Sequence, residues 1–197
     1  MPPISTNMHF GKIFIENSED EIDIPSFFIG IVSPDTINED DFEELHSFDE
    51  DGNIDVREFY EQFNFKKLNI VEKSFVLGYY CHLWFDEYYK FNASKLTIHN
   101  NLEWSDNELG AAVKNLLKYY DHKSINNFFE KYVDDIDKFN KKMTSKEINA
   151  VDINKSKEKI QEFLRENIFD IVYPQLIEED EYMSFIKNGC SKIMKSL

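Results

Sequence analysis

"IVEKSFVLGYYCHLWFDEYY", residues 70–89, is the stretch on which the fold turns. It is the strongest apolar segment of the chain and long enough for a buried helix of about five turns. Within it His82 and Asp86 stand four residues apart, so a helix puts the imidazole and the carboxylate on one face. Moving back along that face meets Gly78 and Phe75. A glycine there lets another backbone, or a metal with its ligands, come close. A helix otherwise made of Phe, Leu, Tyr and Trp gains nothing from burying an imidazole and a carboxylate. Desolvating both costs several kcal/mol unless each is paired or metal-bound. The same spacing serves a plain His-Asp hydrogen bond inside a core.

Around this segment the composition favours helices. The chain has 197 residues, of which 42% are hydrophobic and 15% aromatic, enough to bury a real core. With 6 Gly and 5 Pro it lacks the punctuation of a many-stranded β protein. Upstream, "MHFGKIFIE" fits a helix or a strand, and "PSFFIGIVS" is a short apolar run ended by Pro34-Asp35, where a loop is expected. Downstream, helices are expected at about 106–121, 124–139, 155–170 and 178–195. Ser105 and Glu108 have capping-box spacing, and Lys141-Lys142 suits a helix C-terminus. "KKMTSKEINAVDINKSK" is the candidate linker. The expectation is one all-α, multi-helix domain over residues 1–197, its helical C-terminal part in 105–197.

Net charge is -16, a surface that repels nucleic-acid backbone and anionic lipid, and no Lys/Arg cluster offers a local exception. Nucleic acid is therefore excluded as a partner. The N-terminus has no basic start followed by an apolar run, and no stretch approaches the roughly 20 apolar residues of a membrane span. Cys81 and Cys190 match no metal-ligand spacing and point to reduced thiols. A cytoplasmic location is expected.

"HSFDEDGNIDVREF", residues 46–59, imitates a calcium loop. With Gly52 at loop position 6, Asp49, Asp51, Asp55 and Glu58 fall on positions 3, 5, 9 and 12. Position 1, however, is Ser47, and position 2 is the apolar Phe48. No second loop exists. An exposed Asp51-Gly52-Asn53 turn leading into "IDVREFYEQF" is the better reading.

Four motifs in order, "NMHFGK", "FFIGIVSPD", "LHSFDEDG" and "FVLGYYCHLWFDEYY", resemble the zinc-dependent phospholipase C-like proteins of the intracellular bacterial branch. That branch shows an N-terminal His, Gly-x-x-x-Pro-Asp, a Ser-His-Phe-like segment and Gly-Tyr-x-x-His-x-x-x-Asp; here they occupy residues 7–90. The resemblance implies an all-α fold of that type with a polynuclear metal site. His9 and Asp35 fall on positions that help hold one metal, and His46, His82 and Asp86 on ligands of another. "KYYDHKS" is similar to a Tyr-Asp segment of the branch, which makes Asp121 an extra ligand or a catalytic base. The departures are Leu-His-Ser-Phe in place of Ser-His-Phe, Met1-Pro2-Pro3 where secreted members have a ligating Trp, and no His-x-x-x-Glu pair after Asp86.

The implied activity is metal-dependent phosphoester hydrolysis with Zn, or with Fe or Mn given the plentiful carboxylates. The substrate would be a small phosphoester or phospholipid headgroup. The alternative is a non-catalytic binding protein that keeps the fold and a partial or vestigial metal site.

Overall fold

The computed structural model of the chain describes residues 2–36, 51–99, 103–140, 152–165 and 172–197. Among these the architecture is all-helical, without a strand. The helices are α1 (Ile4–Asn17), α2 (Ile24–Val32), α3 (Val56–Glu61), α4 (Ile70–Asn92), α5 (Asp106–Phe129), α6 (Val133–Asp137), α7 (Ile153–Arg165) and α8 (Glu179–Ile193), with 3-10 turns at Ser33–Thr36, Ala93–Lys95 and Pro174–Leu176. No described helix is long and apolar enough to cross a membrane.

α4 is the long buried helix expected from its sequence. Its start is fixed by a capping box: Asn69 accepts from the Glu72 backbone N–H at 3.1 Å, and the Asn69 N–H donates to Glu72 at 3.2 Å. α2 begins on Asp23, whose carboxylate accepts from the Ser26 N–H. The Asp23 N–H in turn donates to Ser74 Oγ in the first turn of α4, tying the two helix starts together. Beyond this tie α2 and α4 make the most extensive helix pairing of the described structure. Two glycines permit it. A Cβ at Gly30 would collide with the Phe75 carbonyl, and one at Gly78 with the Phe27 carbonyl. Backbone lies directly on backbone at this crossing.

α1 settles the ambiguity of "MHFGKIFIE" as helix, because burial surrounds it on nearly every side. Ser5 through Gly11 are all buried. Its apolar members join an aromatic core: Phe10 stacks on Phe85 with ring centroids 4.4 Å apart, and Phe28 packs edge-on against Phe129 at 4.5 Å. Pro34 and Asp35 lie in a 3-10 turn rather than an open loop.

Downstream, Ser105 and Glu108 form the expected capping box. The expected break near residue 122 does not occur, and α5 runs on to Phe129. Nothing in "DHKS" breaks a helix, and Ile125 and Phe129 extend the buried stripe into the core. The candidate linker's central residues, with Lys141 and Lys142, lie outside the described residues. Gly52 has φ +74°, and Lys90 Nζ donates to its carbonyl at 2.9 Å. Asp55, the would-be position-9 calcium ligand, instead caps α3 by accepting from the Glu58 N–H at 2.9 Å. The described part of this segment, from Asp51 on, holds a turn at Gly52 that leads into α3, and residues 46–50 lie outside the described residues.

Gly78→Ala or Gly30→Ala is expected to force the α2–α4 crossing apart and cost at least about 1–3 kcal/mol, the usual penalty of overpacking. Gly110 has open space around a would-be Cβ. There Ala is expected to stabilise by about 0.5–1 kcal/mol through helix propensity. Urea denaturation of the three variants measures both effects.

Candidate metal centre

The α2–α4 crossing places the first member of the site. One turn beyond Gly78 on α4, the fully buried His82 ring points its Nδ1 at the Ile31 carbonyl of α2, 2.7 Å away. A carbonyl only accepts, so Nδ1 carries a proton and Nε2 is turned toward the carboxylates. Nε2 lies 3.5 Å from Asp86 Oδ2 and 3.9 Å from Asp35 Oδ1. Asp86 is 4% exposed, whereas the Asp35 side chain is 22% exposed. Among these groups, Asp35 is the one on the solvent side.

Burial alone would push the His82 imidazole down. The carboxylates of Asp86 and Asp35, with the Ile31 carbonyl, outweigh burial and hold it up to about 9 against an ordinary 6.5. Near neutral pH the ring is therefore an imidazolium between two carboxyl groups. Burial also raises the Asp35 carboxyl, with His82 pulling the other way.

A second polar cluster joins α1, α5 and α8. Asp121 is fully buried and accepts four hydrogen bonds, two on each oxygen. Ser5 and Thr6 donate to Oδ2, each at 2.8 Å. His9 Nδ1 and the Tyr182 hydroxyl donate to Oδ1 at 2.9 Å and 2.7 Å. Burial first, then the adjacent Asp121, pushes the Tyr182 phenol well above its ordinary value. With Nδ1–H committed to Asp121, His9 Nε2 is buried and has no hydrogen-bond partner among the described residues. An imidazole anchored through one nitrogen on a carboxylate, with the other left open, is the usual arrangement of a metal-ligating histidine.

Asn7 connects the two clusters. It lies between Thr6 and His9 in sequence but turns to α4, where Nδ2 donates to Asp86 Oδ1 at 3.1 Å. Asn7, Ser5, Thr6 and Tyr182 were not legible as site residues. Their partners lie between 61 and 116 positions away along the chain, and no local spacing announces such contacts.

The expected ligands thus fall into two places. His82, Asp86 and Asp35 converge; His9 sits instead on Asp121; His46 lies outside the described residues. Among the described residues no group of three or more His, Cys, Asp or Glu side chains is arranged as a ready metal cage. Both histidines are oriented through Nδ1, His82 on the Ile31 carbonyl and His9 on Asp121, and carboxylates face Nε2 of His82. Comparison of the chain with family models, with curated proteins and with solved structures gives no match.

In the metal-free protein His82 contributes stability fully below its unfolded value near 6.5 and loses it as pH rises through about 9. The loss is on the order of 3 kcal/mol. Denaturation in chelator at pH 6 and pH 9.5 is expected to show it, and His82→Gln to flatten that difference. Asp121→Ala, which removes the shared acceptor of four buried donors and leaves Thr6 and Tyr182 only each other at 2.9 Å, is expected to cost about 3–5 kcal/mol.

Proposed function

We propose that the chain is a cytoplasmic metal-dependent phosphoesterase of the zinc-dependent phospholipase C-like type. The carrying observation is His82, held by Nδ1–H on the Ile31 carbonyl with Nε2 facing Asp86 and Asp35. On this reading His82, Asp86 and Asp35 hold one cation and His9 contributes to another, with His46 assigned by resemblance alone. Zn²⁺ suits the imidazoles, and Fe or Mn the carboxylates.

When bound, the cations supply Lewis-acid stabilisation of charge on phosphoryl oxygens and activate a water for attack. The protein's part is orientation and exclusion of water. Ile31 fixes the His82 tautomer, and Asp121 holds the His9 ring with its own oxygens already engaged by four donors. Asp121 therefore serves as a positioning residue in this geometry rather than as a base open to substrate. Asp35, on the solvent side, marks where a small phosphoester or phospholipid headgroup would approach. A net charge of -16 disfavours polyanionic substrates.

One observation favours a second reading, a binding protein with a partial site: His9, His82, Asp86 and Asp121 are all at most 4% exposed. Elemental analysis of protein purified without added metal, paired with a chromogenic phosphodiester assay, separates the two. Two or three metals per chain with metal-dependent turnover support the enzyme. One metal without turnover supports the binding protein, and no bound metal overturns both. Chelation is expected to lower the melting temperature, since a cation bound to the native state stabilises by mass action. The difference should widen as pH rises toward 9, because the cation must displace the His82 proton. His82→Ala should melt lower and respond less to chelator than the wild type.

A further inference from the structure

We propose that Ser156 on α7 is a positioning residue of the candidate centre, its hydroxyl latching the Ser33–Thr36 turn so that Asp35 stays opposite His82. The inference rests on the metal-centre reading for its functional consequence, and it adds a residue outside every motif of the chain.

Asp35 is the member of the centre with the least support of its own. Asp86 is fixed by the same helix that carries His82, whereas Asp35 belongs to a four-residue 3-10 turn after α2. Its Oδ1 lies 3.9 Å from His82 Nε2, and among the described residues its carboxylate makes no hydrogen bond. Where that carboxylate stands is therefore decided by where the turn stands.

The turn is held at both ends by hydroxyls. Ser33 and Thr36, which bracket Pro34 and Asp35, are buried, and both meet Ser156 Oγ, at 3.0 Å and 3.3 Å. Each hydroxyl has one hydrogen. Ser33 gives its own to the Ile29 carbonyl at 2.6 Å, and Thr36 its own to the Ser33 carbonyl at 2.8 Å. The hydrogen between helix and turn is thus the one on Ser156, whose nearest acceptor is Ser33 Oγ. The Asp152 carbonyl, one turn back, stands farther off at 3.2 Å.

The buried residues of α7 are Ser156, Ile160 and Phe163. Packing alone would be served by Ala or an aliphatic side chain at 156, without burying a hydroxyl that must find partners. Ser156 is fully buried, and its partners across the chain both belong to the turn that carries a site carboxylate. The docking of α7 is thereby coupled to the placement of Asp35.

A double-mutant cycle in urea, at pH 7 with chelator present, tests this with Ser156→Ala and Asp35→Asn. Alanine keeps Cβ and favours the helix, so the hydroxyl is what the change removes. A hydroxyl that only braces the turn has the same effect whether residue 35 is Asp or Asn. One that positions Asp35 has a larger effect when a carboxylate is there to face the His82 imidazolium. Ser156→Ala is expected to raise the unfolding constant at least threefold more in the wild-type background than in Asp35→Asn. Equal effects in the two backgrounds overturn the proposal. If Ser156→Ala does not fold, Ser156→Cys takes its place with the same expectation, a thiol being a weak donor. Calorimetric titration of Zn²⁺ into chelator-stripped protein then tests the consequence for a cation. Ser156→Ala is expected to bind at least tenfold more weakly than wild type, and affinity within threefold of it overturns the proposal. Zn²⁺ uptake that is the same in His82→Gln as in wild type, absent or present, overturns the metal-centre reading instead, and the denaturation cycle alone then decides the role of Ser156.

Discussion

The contact of α2 with α4 through Gly30 and Gly78 governs the rest of the structure. Each glycine faces a carbonyl of the other helix, Gly30 facing Phe75 and Gly78 facing Phe27. The approach is therefore reciprocal and closer than any side chain would permit. One helical turn beyond Phe27 is Ile31, and one turn beyond Gly78 is His82. The same crossing that packs the backbones thus delivers the Ile31 carbonyl to His82 Nδ1 at 2.7 Å. Move the helices apart and the ring loses its anchor. Asp86, another turn along α4, and Asp35, in the 3-10 turn that ends α2, complete the trio by the same geometry.

α1 fits into this frame by polarity as much as by shape. Its first turns carry Ser5, Thr6, Asn7 and His9, all buried, and its later turns carry Phe10, Ile13 and Phe14. Each early polar side chain has a carboxylate to meet: Asp121 for Ser5, Thr6 and His9, and Asp86 for Asn7. Rotating α1, or sliding it by one residue, would leave several of these groups unsatisfied in an apolar core. That penalty is larger than any single hydrophobic mismatch. We regard the polar cluster as what fixes the register of a helix that packing alone would hold loosely. Double-mutant cycles between Thr6 and Asp121 would measure the coupling, and independent additive effects would remove this role.

How much of this could be read from the chain alone follows from the range of each interaction. The His82–Asp86 pair was legible because a helix brings i and i+4 together, and it lies at 3.5 Å. The approach at Gly78 was legible because glycine amid large residues has few other uses. The turn at Gly52 and the Ser105 cap were local and equally readable. Asn7 and Tyr182 were not, since their partners are brought near by tertiary packing and their own neighbourhoods carry no pattern. His9 was singled out, but its partner was not: nothing local ties position 9 to Asp121, 112 residues on. The extent of α5 was misjudged because polar residues were given the weight of a break, whereas the apolar stripe of Leu116, Leu117, Tyr120, Ile125 and Phe129 passes through them.

On the metal-centre reading, the buried polar groups are held in place before any cation arrives. Zinc-finger domains differ and unfold without metal, since nothing else satisfies their ligands. Here the polar groups have internal substitutes. The proton on His82, retained to about pH 9, supplies the positive charge between Asp86 and Asp35. Asp121 is satisfied by hydrogen bonds from three hydroxyls and one imidazole. On the metal-centre reading a cation enters by exchange with a proton, into ligands already oriented, rather than by driving the chain to fold. The exchange leaves the α2–α4 crossing in place, because the His82 nitrogen that anchors it is Nδ1 and the nitrogen that would bind the cation is Nε2. Scaffold and site share one side chain, yet they use opposite edges of its ring.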